Sequence, residues 1–258
     1  MEFAKANYFD TTTALAVDSN TLQAENILNR DRTKQWSSDG YNNDATTTTL
    51  TISFDETLTI SRIVLIEQNW KDFTIFYNGT TASTFNITST GSTSTTDFSS
   101  NSETSMYIKV DAQACTSVSF DITGTQVADS EKAIAHIALS DLELAFTDRF
   151  PSAPDYKPML IPKEIVHRLS NGGVKVNRLD EKYRCQIKLN DISTSFRDSL
   201  LGIYRNQNEL LFTAFETMTG WDEVFFQCRW VGNFDFLKFS DNVGIRHKGK
   251  MDLREVAL

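Results

Sequence analysis

Leu50-Thr51-Ile52-Ser53-Phe54 places an apolar side chain at every second position, and the apolar run from Ile60 to Ile66 follows it. Alternation with a period of two marks a strand with one face in a core. Working outward, the pattern returns at Phe73, Ile75 and Tyr77, at Phe85 and Ile87, and at Met106, Ile108 and Val110. It recurs at Val118, Phe120 and Ile122, through Ala133 to Leu139, and at Leu142, Leu144 and Phe146. Thr, Ser, Asn and Gly fill the intervals, and β-branched threonine suits a pleated surface. About eight short strands in about 150 residues predict a β-sandwich of the jelly-roll type. Asn78-Gly79 predicts a tight hairpin turn, and Ser89 to Ser105 a long exposed loop.

All four prolines, Pro151, Pro154, Pro158 and Pro162, fall in one short window. Proline fixes φ and donates no backbone hydrogen bond, so an extended, irregular stretch is expected there. Threonine falls from 26 residues before position 150 to 4 after it. These two signals predict a sandwich domain over 1–147, a Pro-rich linker over 148–163 and a second domain over 164–258. The second domain reads as α+β, an antiparallel sheet or small barrel with one helix. Ile165 to Leu169 and Val174 to Leu179 flank Asn171-Gly172-Gly173, a hairpin signal, and Tyr183, Cys185, Ile187 and Leu189 alternate as a further strand. Phe196, Leu200, Ile203 and Tyr204 then lie on one helical face, with Ser195 and Asp198 resembling a capping box. Strands resume over 210–215, 224–231, 234–239 and 250–256.

The whole chain of 258 residues is 40% hydrophobic and 23% charged, which is globular composition. Its longest apolar run, Ile63 to Ile66, is far below the roughly 20 residues of a membrane helix. Met1-Glu2-Phe3-Ala4-Lys5 does not read as a secretory leader. The net charge of −9 disfavours nucleic acid. Cys115, Cys185 and Cys228 are too widely spaced for a zinc site and odd in number, so they are expected as reduced, buried side chains. His136 reads as a core histidine, and His167 and His247 have no partner at ligand spacing. No nucleophile elbow, zinc helix or phosphate loop is present in the sequence, so neither a catalytic residue nor a cofactor nor a metal is assigned. The two Asn-x-Thr triplets at Asn78 and Asn86 read as chance matches in a Thr-rich chain.

Ala24-Glu25-Asn26-Ile27-Leu28-Asn29-Arg30-Asp31-Arg32-Thr33-Lys34-Gln35-Trp36-Ser37-Ser38 resembles the opening motif of the discoidin, or galactose-binding-like, family, A-x-N-x-L-D-G-D-x-x-T-x-W. The resemblance covers about residues 5–147 and implies that Trp36 packs in a sandwich core. Asn29 and Arg30 stand where Asp and Gly are usual. That weakens the calcium site some members hold, since calcium wants several close oxygens. The second domain resembles modules of tailed-phage tail tips and baseplates, through its hairpin, its helix and Gly220-Trp221-Asp222-Glu223 before a hydrophobic strand. Distal tail proteins combine a ring-forming module with a sugar-binding-like sandwich, usually in the opposite domain order.

Two surfaces follow as candidates. Sandwich domains bind through loops at one end. Asn69-Trp70-Lys71-Asp72 and Tyr41-Asn42-Asn43-Asp44 are polar, aromatic loops, so Trp70, Asn69, Tyr41 and Asn42 are the expected ligand-binding residues. In the second domain, Phe225, Trp230, Phe234 and Phe236 belong to an apolar stretch too dense for a small interior, and they are the expected oligomer interface. The leading expectation is a non-catalytic structural component of a phage tail tip or baseplate. It would form a homo-oligomeric ring with other tail proteins in the virion, assembled in the host cytoplasm. The alternative is a carbohydrate-binding adhesion module that recognises cell-surface glycans. A third class is an enzyme accessory or hydrolase subunit.

Overall fold

The computed structural model is mainly β. It describes residues 1–5, 7–8, 12–28, 34–39, 43–77, 80–81, 97–146, 156–168, 172–206, 209–213, 225–241 and 244–256. The chain divides into two compact units. One is built on Phe3–Glu143, and the other on Met1–Glu2, Leu144–Phe212 and Phe226–Ala257.

After β1 (Glu2–Ala4), the sandwich unit contains β2 (Thr12–Val17), the short helix α1 (Glu25–Leu28), β3 (Trp36–Ser37), β4 (Thr48–Ile66) and β5 (Trp70–Tyr77). It continues with β6 (Thr80–Thr81), β7 (Asp97–Phe98), β8 (Met106–Thr125), β9 (Ala133–Ile134) and β10 (His136–Ser140). Leu50 to Phe54 lie in the first half of β4 and Ile60 to Ile66 in its second. The register of β4 against β8 shifts between Ser53 and Leu58. The first half pairs on its other edge with β2, Leu50 opposite Val17, and the second half with β10, Ile63 opposite Leu139. One strand thereby serves two sets of neighbours, and Leu50, Ile52, Ile60, Ile63 and Leu65 all reach one core. Trp36 is fully buried and donates from Nε1 to Ser19 O at 3.2 Å. His136 is buried too. Its Nδ1 lies 2.9 Å from Ile27 O, which can only accept, so Nδ1 carries the proton and Nε2 faces the Asn7 amide at 3.5 Å. The expected core roles of both residues hold.

Tyr77 pairs with Thr80, and the expected hairpin turn at Asn78-Gly79 lies outside the described residues. Of the expected loop over 89–105, residues 89–96 lie outside the described residues, and the rest begins with β7. Phe98 pairs with Phe73 and stacks on its ring at 4.5 Å, so one aromatic side chain anchors a Ser/Thr-rich segment.

The other sheet has eight strands. β11 (Leu142–Ala145), β12 (Tyr156–Arg168), β13 (Val174–Ser193), β14 (Leu210–Thr213), β15 (Phe225–Trp230), β16 (Asp235–Asp241) and β17 (Gly244–Glu255) join β1 in the order β11–β1–β14–β15–β17–β13–β12, with β16 also on β17. The expected linker over 148–163 differs from this: Tyr156 to Lys163 belong to β12, and 148–155 lie outside the described residues. Pro158 and Pro162 are tolerated because β12 ends the sheet, where an edge strand has no second partner for an N–H. β13 is one strand of 20 residues where two were expected. Helix α2 (Thr194–Asn206) buries Phe196, Leu200 and Ile203, as its periodicity predicted. Its cap is Ser193 rather than Ser195: Phe196 N donates to Ser193 Oγ at 3.2 Å, and Asp198 instead pairs with Arg197.

Candidate functional site

Four connections meet at one end of the sandwich unit, around Asp44, Asn69, Asn101–Glu103 and Gln126–Lys132. Polar side chains tie them together. Asp44 Oδ1 accepts from Thr125 N at 2.9 Å and Thr125 Oγ1 at 2.8 Å, and its Oδ2 accepts from Asp129 N at 3.1 Å. Burial alone would raise the Asp44 pKa, but these bonds outweigh it and hold the carboxyl below its ordinary value. Asn69 donates to Glu131 O at 2.7 Å and accepts from Ala133 N at 2.8 Å. Glu103 O accepts from Gln68, from Asn101 Nδ2 at 3.2 Å and from Gln126 Nε2 at 3.0 Å. Lys132 is fully buried and donates to Thr46 O and, at 3.2 Å, to Thr48 Oγ1. Burial lowers its pKa, against the opposing pull of Asp44. On this braced frame Val127, Asp129 and Glu131 stand exposed.

The sequence-predicted residues fare differently. Asn69 is at this end, but its amide bridges backbone on both sides, so it positions the rim. Trp70 is a correction. It is fully buried, edge-on to Phe73 at 5.5 Å and tilted on Phe120 at 5.8 Å. Trp70 pairs with Thr125 and Asp72 with Gly124, so Lys71 is an extra residue in β5. That bulge turns Trp70 to the same face as Phe73, Ile75 and Tyr77. Tyr41 and Asn42 lie outside the described residues. Asp44, two positions on, is tied to the 125–129 turn. In the sequence Asp44 is only one residue of a polar loop, and nothing marks Asn101, Glu103, Gln126 or Lys132. Their pairing spans up to 86 positions and has no local signal.

In the second unit Trp230, Phe234 and Phe236 form one half-buried cluster, with Phe234 and Phe236 at 4.6 Å. Tyr204 of α2 meets Trp230 edge-on at 5.6 Å, and the Arg197 guanidinium lies 5.2 Å over the Phe234 ring. Helix α2 therefore supplies part of the cover that was expected from another chain. The Phe225 side chain lies outside the described residues. All three cysteines are free and buried. Burial pushes the Cys115 thiol up to about 11 and the Cys185 thiol up to about 12, and raises Cys228 as well, so none is a ready thiolate.

The chain matches no protein-family model and no curated protein. It is similar to several solved structures over about half its length. The first chitosan-binding module of the chitosanase/glucanase from Paenibacillus sp. IK-5 is 13% identical over 52% of this chain and 97% of that one, with a TM-score of 0.40. A pectin-binding carbohydrate-binding module is 18% identical over 50% of this chain and 89% of that one, at 0.34. The CBM32-1 and CBM32-2 domains of Clostridium perfringens ZmpB in complex with GalNAc are 11% identical over 54% of this chain and 35% of that one, at 0.39. The tail-tip and ring expectation gains no support from these structures.

Proposed function

We propose that the sandwich unit is a non-catalytic carbohydrate-binding module and that its site is the braced loop end. The observation that carries this reading is the division of labour there. Asp44, Asn69, Asn101 and Gln126 use their hydrogen bonds on the backbone of neighbouring connections, and Asp129 and Glu131 remain exposed on the fixed rim. Carboxylates held on a rigid frame accept hydrogen bonds from sugar hydroxyls, and prior ordering of the frame lowers the entropy lost on binding. The family motif at Ala24 to Ser38 supports the same reading. Tyr41, beside this frame in sequence, is the aromatic platform of the proposal.

The test is a broad glycan array with the full chain, followed by titration of any glycan retained. The double variant Asp129→Ala/Glu131→Ala, and separately Tyr41→Ala, should each weaken binding at least about tenfold with an unchanged melting temperature. An empty array, or affinity unchanged in both variants, refutes the reading.

A further inference from the structure

Strands β12 and β13 run on beyond the rest of their sheet. β17 first pairs with β13 at Arg184. From Val174 to Tyr183, the one strand paired with β13 among the described residues is β12. The result is a two-stranded ribbon of about ten residues per strand, roughly 33 Å long. A two-stranded ribbon with no second layer on its faces is marginal in water. This one is apolar on both faces. Opposed residues share a side, so Leu160, Val166, Val174 and Val176 lie on one face and Ile165 on the other, with Met159 on that second side just past the ribbon's base. Each is between 36% and 59% exposed.

The ribbon is also basic. Residues 160–183 contain five Lys or Arg and three Asp or Glu, a net of +2; residues 3–143 contain eight and eighteen, a net of −10. Arg168 and Lys175 on the ribbon are exposed, and so is Lys157 just past its base. Two such ribbons face to face repel one another, whereas the surface of a sandwich unit attracts them. That unit has a receptor of matching chemistry. A pocket of about 180 Å³ is lined by Phe54, Asp55, Glu56 and Leu58, where the β4 register shifts. Two apolar side chains, buried Phe54 and half-buried Leu58, line it together with the two exposed carboxylates.

We propose that the β12–β13 ribbon is an arm that docks on the sandwich unit of a second copy of this chain, its valine-bearing face over Phe54 and Leu58 and its cations beside Asp55 and Glu56. Pro158 and Pro162 take two donors out of β12, so the arm associates through its faces and not by open-ended strand addition. The proposal is independent of glycan binding.

The test uses the full chain in light scattering over a wide concentration range, at roughly 0.05 M and about 1 M salt. The expected result is a multiple of the single-chain mass that shifts toward one chain at high salt. Val166→Lys/Val176→Lys on the arm, and Asp55→Lys/Glu56→Lys at the pocket, should each weaken association at least about tenfold with unchanged thermal melts. Arg168→Glu/Lys175→Glu added to the pocket variant should restore association. A single-chain mass at every concentration overturns the proposal, as does an oligomer that neither variant weakens. Folded variants without rescue overturn the placement on Asp55 and Glu56.

Discussion

At Trp70 the indole fills the core between Phe73 and Phe120, and removing it leaves a cavity that β5 and β8 cannot close. Trp70→Ala is expected to lower stability by about 3–5 kcal/mol, the usual loss for deleting a buried aromatic, read as a fall in the chemical-denaturation midpoint. A loss below about 1 kcal/mol would return Trp70 to the surface. Its neighbours Asn69, Lys71 and Asp72 are polar, and a residue judged by its neighbours reads as a turn. What reverses that reading is the single extra residue Lys71, and a bulge leaves no mark in composition. Trp36 was legible because the motif around it carries the context within 15 positions.

Among the elements, helix α2 shows a smaller error of the same kind. Both Ser193 and Ser195 are capping residue types one turn from the helical face, and only the backbone decides between them. Ser193 accepts from Phe196 N, so Ser193→Ala should cost about 1 kcal/mol of stability and Ser195→Ala much less. Thermal melts of the two variants, compared side by side, check this; equal losses would reject the assignment. β13 was legible as strand at each end. Its continuity through Arg178 to Lys182 was not, because charged residues there break the alternation.

For the molecule as a whole, three carboxylates among the described residues are held below their ordinary pKa and add to the response to acid. Asp141 is partly buried, which alone would raise its pKa, but bonds from Ser61 Oγ at 2.6 Å and Lys5 Nζ at 3.1 Å hold it below the ordinary 3.8. Asp252 is lowered in the same way by Arg184 and Gln186, and Asp44 by Asp129 and Thr125. A depressed native pKa means that the unfolded chain binds protons first as pH falls. The stabilisation is therefore present above about 4 and is lost as pH drops through the lower native values. Melting temperature should fall steeply below about pH 4, and Asp141→Asn should flatten that fall; a curve unchanged by the variant would show that this pair contributes nothing. The sequence by itself determined the β class, the period-two strands, the helical face of α2 and the core place of Trp36. The first three are set by side-chain spacing within a dozen or so residues, the range over which strand and helix periodicity act, and the place of Trp36 was what the family resemblance of its motif implied. The tertiary structure alone decided the burial of Trp70, the anchoring of Phe98, the bracing of four loops by Asp44, Asn69, Gln126 and Lys132, and the exposure of the β12–β13 ribbon. Those depend on register and on partners tens of residues away, where closing the chain on itself, and not local pattern, selects which polar groups meet.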